Sequence, residues 1–115
     1  MKELLGSEIR VIIDRPIGSH HLEYPDLVYS LNYGYLPGIK SPDGEDVDVY
    51  IMGVDHPITE FTGRVIAVIH RKNDIEDKLV VAPEGLFYSR EEIITATSFV
   101  ECYFDICIDL FDEGE

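Results

Sequence analysis

Apolar and polar positions alternate singly through most of the chain and change to a helical rhythm near its end. EIRVIID alternates from Glu8, and VDVYIMG and KLVVAP run apolar over strand lengths from Val47 and Lys78. GRVIAVIHR is nearly continuous in apolar residues, which predicts a central strand covered on both faces. A further short strand is predicted around residues 29–35. Pro83, which cannot donate to a ladder, stops the KLVVAP strand. The separators PIGSH, LPGIKSPDG, DHPITEFTG and RKNDIED supply turn residues. Short strands at this spacing predict a mainly β fold, a closed barrel or a sandwich.

The rhythm then shifts. SREEIITATSFVECYFDICIDL opens with Ser89 and has Glu92 three residues later, a capping box. Ile93, Ala96, Phe99, Val100, Tyr103 and Ile106 recur at helical spacing, which predicts one amphipathic helix packed on the strand body. Such an aromatic stripe belongs to a core rather than to a ligand. FDEGE is expected to be a fraying polar tail.

The 115 residues suit one domain, 1–115, with a single core. Nine basic against 23 acidic residues give a formal net charge of −14. That excludes nucleic acid and anionic membrane surfaces, which need clustered Lys and Arg. It suits cation binding, and it equally suits plain solubility. No apolar run reaches membrane-span or signal-peptide length, so a cytoplasmic location is expected. Cys102 and Cys107 lie five residues apart. On a helix they point to different faces, so no disulfide is expected between them.

Candidate chemistry concentrates in DGEDVD, residues 43–48. SPDG is a turn sequence, and alternation alone explains Asp46 and Asp48 as the outer face of a strand whose Val47, Val49 and Ile51 face in. Carboxylates this dense also suit a hard cation such as Mg²⁺, which takes oxygen ligands. An EF-hand loop does not fit, because Val47 and Asp48 fall where a ligand and a glycine are needed. Any site must be completed from elsewhere. Asp74, Glu76 and Asp77 precede another strand, beside Lys78, and form a second acidic cluster. Between the strands sits LVYSLNYGYLPG, whose Tyr29, Tyr33 and Tyr35 can pack in a core or donate to phosphate oxygens.

NYGYLPG, DGEDVDV and an acidic segment with Lys before LVVAP, in that order, resemble the family I soluble inorganic pyrophosphatases over about residues 8–110. The resemblance implies a five-stranded OB-like barrel with a helix against it. It also implies Mg²⁺-dependent hydrolysis of pyrophosphate by a metal-activated water, with Mn²⁺ as the alternative metal. Asp43 and Asp48 would bind metal and Glu45 would help activate the water. Tyr33 would contact phosphate, Tyr29 would assist it, and Lys78 would bind and stabilise phosphate charge. Glu76 falls at a further metal aspartate, and Asp74 stands for the preceding one. Asp14 stands where the family has an early Glu.

The departures are specific. Glu45 replaces Asp and Asp46 replaces Pro in the signature. RPIGSHHLEYPDLVYSLNYGY contains no lysine and one arginine, Arg15. His20, His21 and Glu23 occupy that stretch, where adjacent histidines favour a surface turn over a softer metal site. His56 and His70 are expected to be structural. The family's later Tyr-Lys pair has no counterpart. A partner subunit in a homo-oligomer would be one source of the missing basic groups. The other readings are a non-catalytic metal- or phosphate-binding module and a hydrolase of another small phosphoanhydride.

Overall fold

The structure is a computed structural model and describes residues 2–40, 44–72 and 77–111. Asp43, Asp74 and Glu76 lie outside these residues, as does most of the FDEGE tail. The strands are β1 (Glu8–Arg15), β2 (Asn32–Lys40), β3 (Asp46–Ile51), β4 (Glu60–Arg71), β5 (Asp77–Ala82) and β6 (Ile106–Leu110). One helix, α1 (Arg90–Glu101), lies between β5 and β6.

The order β1-β2-β3-β5-β4 closes through a further β1–β4 pairing, which makes a five-stranded barrel. The β3–β5 pair is parallel, and every other pair is antiparallel. β4 is long enough to hold two partners along one edge. Its first half pairs with β1 and its second half with β6. A register shift between Val65 and Ala67 marks the change. Such a bulge turns a strand locally and re-aims its side chains. This explains the unbroken apolar run in β4. Val65 and Val68 point into the barrel, while Ala67 and Ile69 face out beneath α1 and β6.

Two apolar clusters result. Val11, Val47, Val49, Ile51, Leu79 and Val81 fill the barrel. Tyr50, Val80, Ile93 and Ile108 join the outer wall of the barrel to the helix and β6. The outer face of β2, β3 and β5, next to α1, is where polar groups gather.

Two predicted elements are corrected. β2 begins at Asn32 rather than near Tyr29, because the Tyr29 backbone is already used: its N–H donates to Ser19 O and its carbonyl accepts from Gly18, both at 2.9 Å. The helix does start at the Ser89 capping box, with Glu92 N 3.1 Å from Ser89 Oγ, but it ends at Glu101. Beyond it Ile106, Ile108 and Leu110 alternate with Cys107 and Asp109, a period of two that pairs with β4. Cys107 is therefore on a strand, and both cysteines are free and exposed.

Candidate functional site

The site grows from strand register. Parallel pairing of β3 with β5 sets Asp48 opposite Lys78, and antiparallel pairing of β2 with β3 sets Tyr33 opposite Tyr50. Period-two alternation sends all four side chains to the outer face, since their neighbours Val47, Val49 and Leu79 fill the barrel. Lys78 Nζ lies 2.7 Å from Asp48 Oδ2 and 2.9 Å from Tyr33 Oη. Lys78 is only 3% exposed, so its charge is desolvated and held by these partners.

Tyr33 owes its position to Asn32 and Gly34. The buried Asn32 amide accepts from Ile17 N at 3.0 Å and donates to His56 O at 2.9 Å, pinning the start of β2. At Gly34 a Cβ would lie 1.9 Å from Ile12 O, so only glycine lets β1 and β2 approach here. Burial, reinforced by the Asp48 charge, holds the Tyr33 phenol well above its ordinary pKa. The raised pKa keeps the phenol protonated, and its oxygen accepts from Lys78 Nζ. Tyr29 packs beside it with ring centroids 5.3 Å apart. Burial raises the Tyr29 phenol too, with Arg15 opposing.

Asp14, at the end of β1, faces the same group. Desolvation raises its carboxyl above the usual value; Arg15 pulls it down and the nearby Asp48 charge pushes it up. Asp14 and Asp48 thus bring two carboxylates into mutual range. An all-oxygen pair suits Mg²⁺ or Mn²⁺ and not a thiophilic metal. Among the described residues, no group of three or more His, Cys, Asp or Glu gathers as a metal cage.

The structure therefore brings together Asp48, Lys78, Tyr33 and Tyr29. Glu45 is exposed just before β3, where its charge acts on Lys40, itself 2.7 Å from Asp46. Asp43, Asp74 and Glu76 lie outside the described residues. His20 Nδ1 meets Pro25 O at 2.7 Å, and His21 Nδ1 accepts from Glu23 N and Tyr24 N, so both organise the 20–28 loop. His70 lies between Asp77, at 3.0 Å, and Asp109, at 2.6 Å.

Sequence reasoning missed a second polar group. Arg71 Nε and Nη2 reach Glu101 Oε1 and Oε2 at 3.0 and 2.7 Å, and Tyr50 Oη donates to Glu101 Oε2 at 2.6 Å. Arg71 also stacks 3.6 Å from the Phe104 ring centroid. One signal was available: Glu101 continues the i, i+4 stripe of Ile93 and Thr97, so a carboxylate was due to be buried there. Arg71 and Lys78 both line a cleft of about 970 Å³ between the 21–28 loop and the end of α1.

Fold and site define an OB-like barrel that gathers acidic and phenolic groups with a lysine on its outer wall. The comparisons then specify it. No family model matches the chain. A curated inorganic pyrophosphatase from Saccharolobus solfataricus is 31% identical over 93 residues, which is 65% of this chain and 54% of that protein. The chain thus spans about half the length of this relative. The crystal structure of an inorganic pyrophosphatase from Ehrlichia chaffeensis matches with a TM-score of 0.70 at 19% identity, covering 93% of this chain and 88% of that one. An inorganic pyrophosphatase from Helicobacter pylori matches at 0.60 and 18% identity, covering 93% and 85%. The chain has an inorganic-pyrophosphatase-like fold.

Proposed function

We propose that the chain is a Mg²⁺-dependent inorganic diphosphatase, with Mn²⁺ as the alternative metal. One observation carries this: a buried lysine held between a carboxylate and a protonated phenol on three neighbouring strands. That grouping can grip and discharge a phosphoryl oxygen. The printed name of the Saccharolobus solfataricus relative agrees with it.

Asp48 and Asp14, with Asp43, Asp74 and Glu76 from the acidic segments, would hold the metal. When bound, Mg²⁺ supplies neutralisation of the diphosphate and acidifies a water. Lys78 Nζ turns its donors toward a phosphate oxygen, and Tyr33 donates its phenol hydrogen as charge develops. Tyr29 packs against Tyr33 and fixes its ring. Glu45 accepts the proton of the attacking water. The product is two phosphates. No helix among the described residues is long and apolar enough to cross a membrane. A cytoplasmic location is part of the proposal. A homo-oligomer would let a partner subunit add basic groups at the cleft.

A second reading is a metal- or phosphate-binding module without turnover. It is favoured by Arg71, a cation of the cleft that Glu101 already neutralises. Phosphate release from pyrophosphate, with Mg²⁺ and then Mn²⁺, beside an Asp48→Asn control, decides between them. Metal-dependent turnover that the control loses supports the enzyme. A folded protein that binds pyrophosphate but releases no phosphate with either metal is the module.

A further inference from the structure

The cleft beside Lys78 is larger and more aromatic than an inorganic diphosphate requires. Its volume of about 970 Å³ falls where pockets bury drug-sized organic ligands. Tyr24, from the 21–28 loop, and Tyr103, from the turn after α1, line it while 63% and 75% exposed. Neither ring belongs to the two apolar clusters. Tyr24 tilts against the His21 ring, with centroids 5.2 Å apart, yet both tyrosines keep most of their surface bare; solubility argues against exposed rings gathered on one cleft.

Charge is graded along the same cleft. At depth it is balanced, Lys78 by Asp48 and Arg71 by Glu101. At the 21–28 loop it is acidic, with the exposed Glu23 and Asp26. A ligand charged throughout its length is repelled by that outer end. A ligand with phosphates at one end and a neutral aromatic ring at the other fits both ends.

We propose that the site takes a nucleoside diphosphate, its terminal phosphate at Lys78 and Tyr33 and its base stacked on Tyr24 and Tyr103. This rests on the placement of phosphate oxygens at Lys78 and Tyr33 argued above. In the reaction, the oxygen of water bonds to the terminal phosphorus. The bond from that phosphorus to the bridging oxygen breaks, and its electron pair stays on the bridging oxygen. The products are a nucleoside monophosphate and inorganic phosphate, and the water's surplus proton passes to Glu45 and from there to solvent.

The test measures ADP and pyrophosphate, each with Mg²⁺, for binding by calorimetry and for phosphate release. The proteins are the full chain and its Tyr24→Ala/Tyr103→Ala double variant. A melting curve confirms that this exposed pair can be removed without unfolding. One stacked base is worth on the order of tenfold in affinity. ADP is expected to bind tighter than pyrophosphate by that factor and to release phosphate. The double variant is expected to lose the advantage while its affinity for pyrophosphate stays unchanged. ADP no tighter than pyrophosphate, or ADP binding indifferent to the two tyrosines, overturns the inference. Pyrophosphate turnover without ADP binding overturns it and leaves the diphosphatase standing. Tyrosine-dependent ADP binding and cleavage without pyrophosphate turnover supports it and removes pyrophosphate as the substrate. Neither ligand binding removes both.

Discussion

Lys78 and Asp48 face each other across the parallel β3–β5 pair, with 2.7 Å between ammonium and carboxylate. The lysine side chain is 4% exposed and the aspartate side chain 28%. Their substitutions should therefore be unequal. Asp48→Asn leaves a buried ammonium short of its counter-charge and should cost about 1–3 kcal/mol in urea denaturation. Lys78→Met removes the buried charge itself and lets Asp48 turn to water, so its stability cost should be smaller. Affinity for pyrophosphate should fall more in Lys78→Met. Equal stability losses would show that the pair is not desolvated.

Glu101 should be a stronger determinant of stability than any residue of the cleft. It is 2% exposed and neutralises Arg71, which is 8% exposed. Glu101→Gln takes the carboxylate charge away from the buried Arg71 guanidinium and should cost about 3–5 kcal/mol. Tyr50→Phe removes one hydrogen bond and leaves Arg71 paired, so about 1 kcal/mol is expected. Denaturant midpoints of the two variants, compared with the unmodified chain, check the ranking.

The strands were legible because alternation is a local property of the sequence, and EIRVIID or VDVYIMG shows it without help from the fold. The end of the helix was not legible. Positions 103 and 106 satisfy a helical stripe as well as positions 106, 108 and 110 satisfy a strand, and pairing with β4 decides for the strand. The crowding at DGEDVD pointed to the outer face of β3, and Asp48 is there, beside Lys78 and Tyr33. That meeting depends on the parallel β3–β5 register, which no local pattern encodes. Resemblance to a family assigned Asp48, Lys78 and Tyr33 to one site without giving that register. The helical stripe marks Glu101 for burial, but its partner stayed hidden for the same reason, since Arg71 lies 30 residues away and looks like an ordinary surface charge.

Gly34 should tolerate no side chain. An added Cβ would meet Ile12 O at 1.9 Å, a backbone atom of the paired strand that cannot move aside. Gly34→Ala should separate β1 from β2, displace Tyr33 and cost about 3 kcal/mol. The expected sign is loss of cooperative unfolding or a much lower melting temperature. By contrast Gly85→Ala, where nothing lies within 4 Å, meets no clash and costs only the strain of its φ of +87°.

Asp14 should make the protein less stable as its carboxyl ionises. Desolvation is the main cause that raises its pKa in the folded chain; the Asp48 charge adds to it and Arg15 opposes. In the unfolded chain it releases its proton at the ordinary value of 3.8. Between that value and the raised one, the folded state binds more protons than the unfolded state, so stability falls as pH rises. The sign is opposite to that of a salt-bridged aspartate. Asp14→Asn removes the ionisation, so it should raise the melting temperature near neutral pH. Below 3.8, where both states carry a protonated Asp14, the gain should vanish. Thermal melts of the variant and the unmodified chain at the two pH values make the comparison. A variant that melts lower at neutral pH would show that the ionised Asp14 contributes more through Arg15 than it loses to burial and to Asp48.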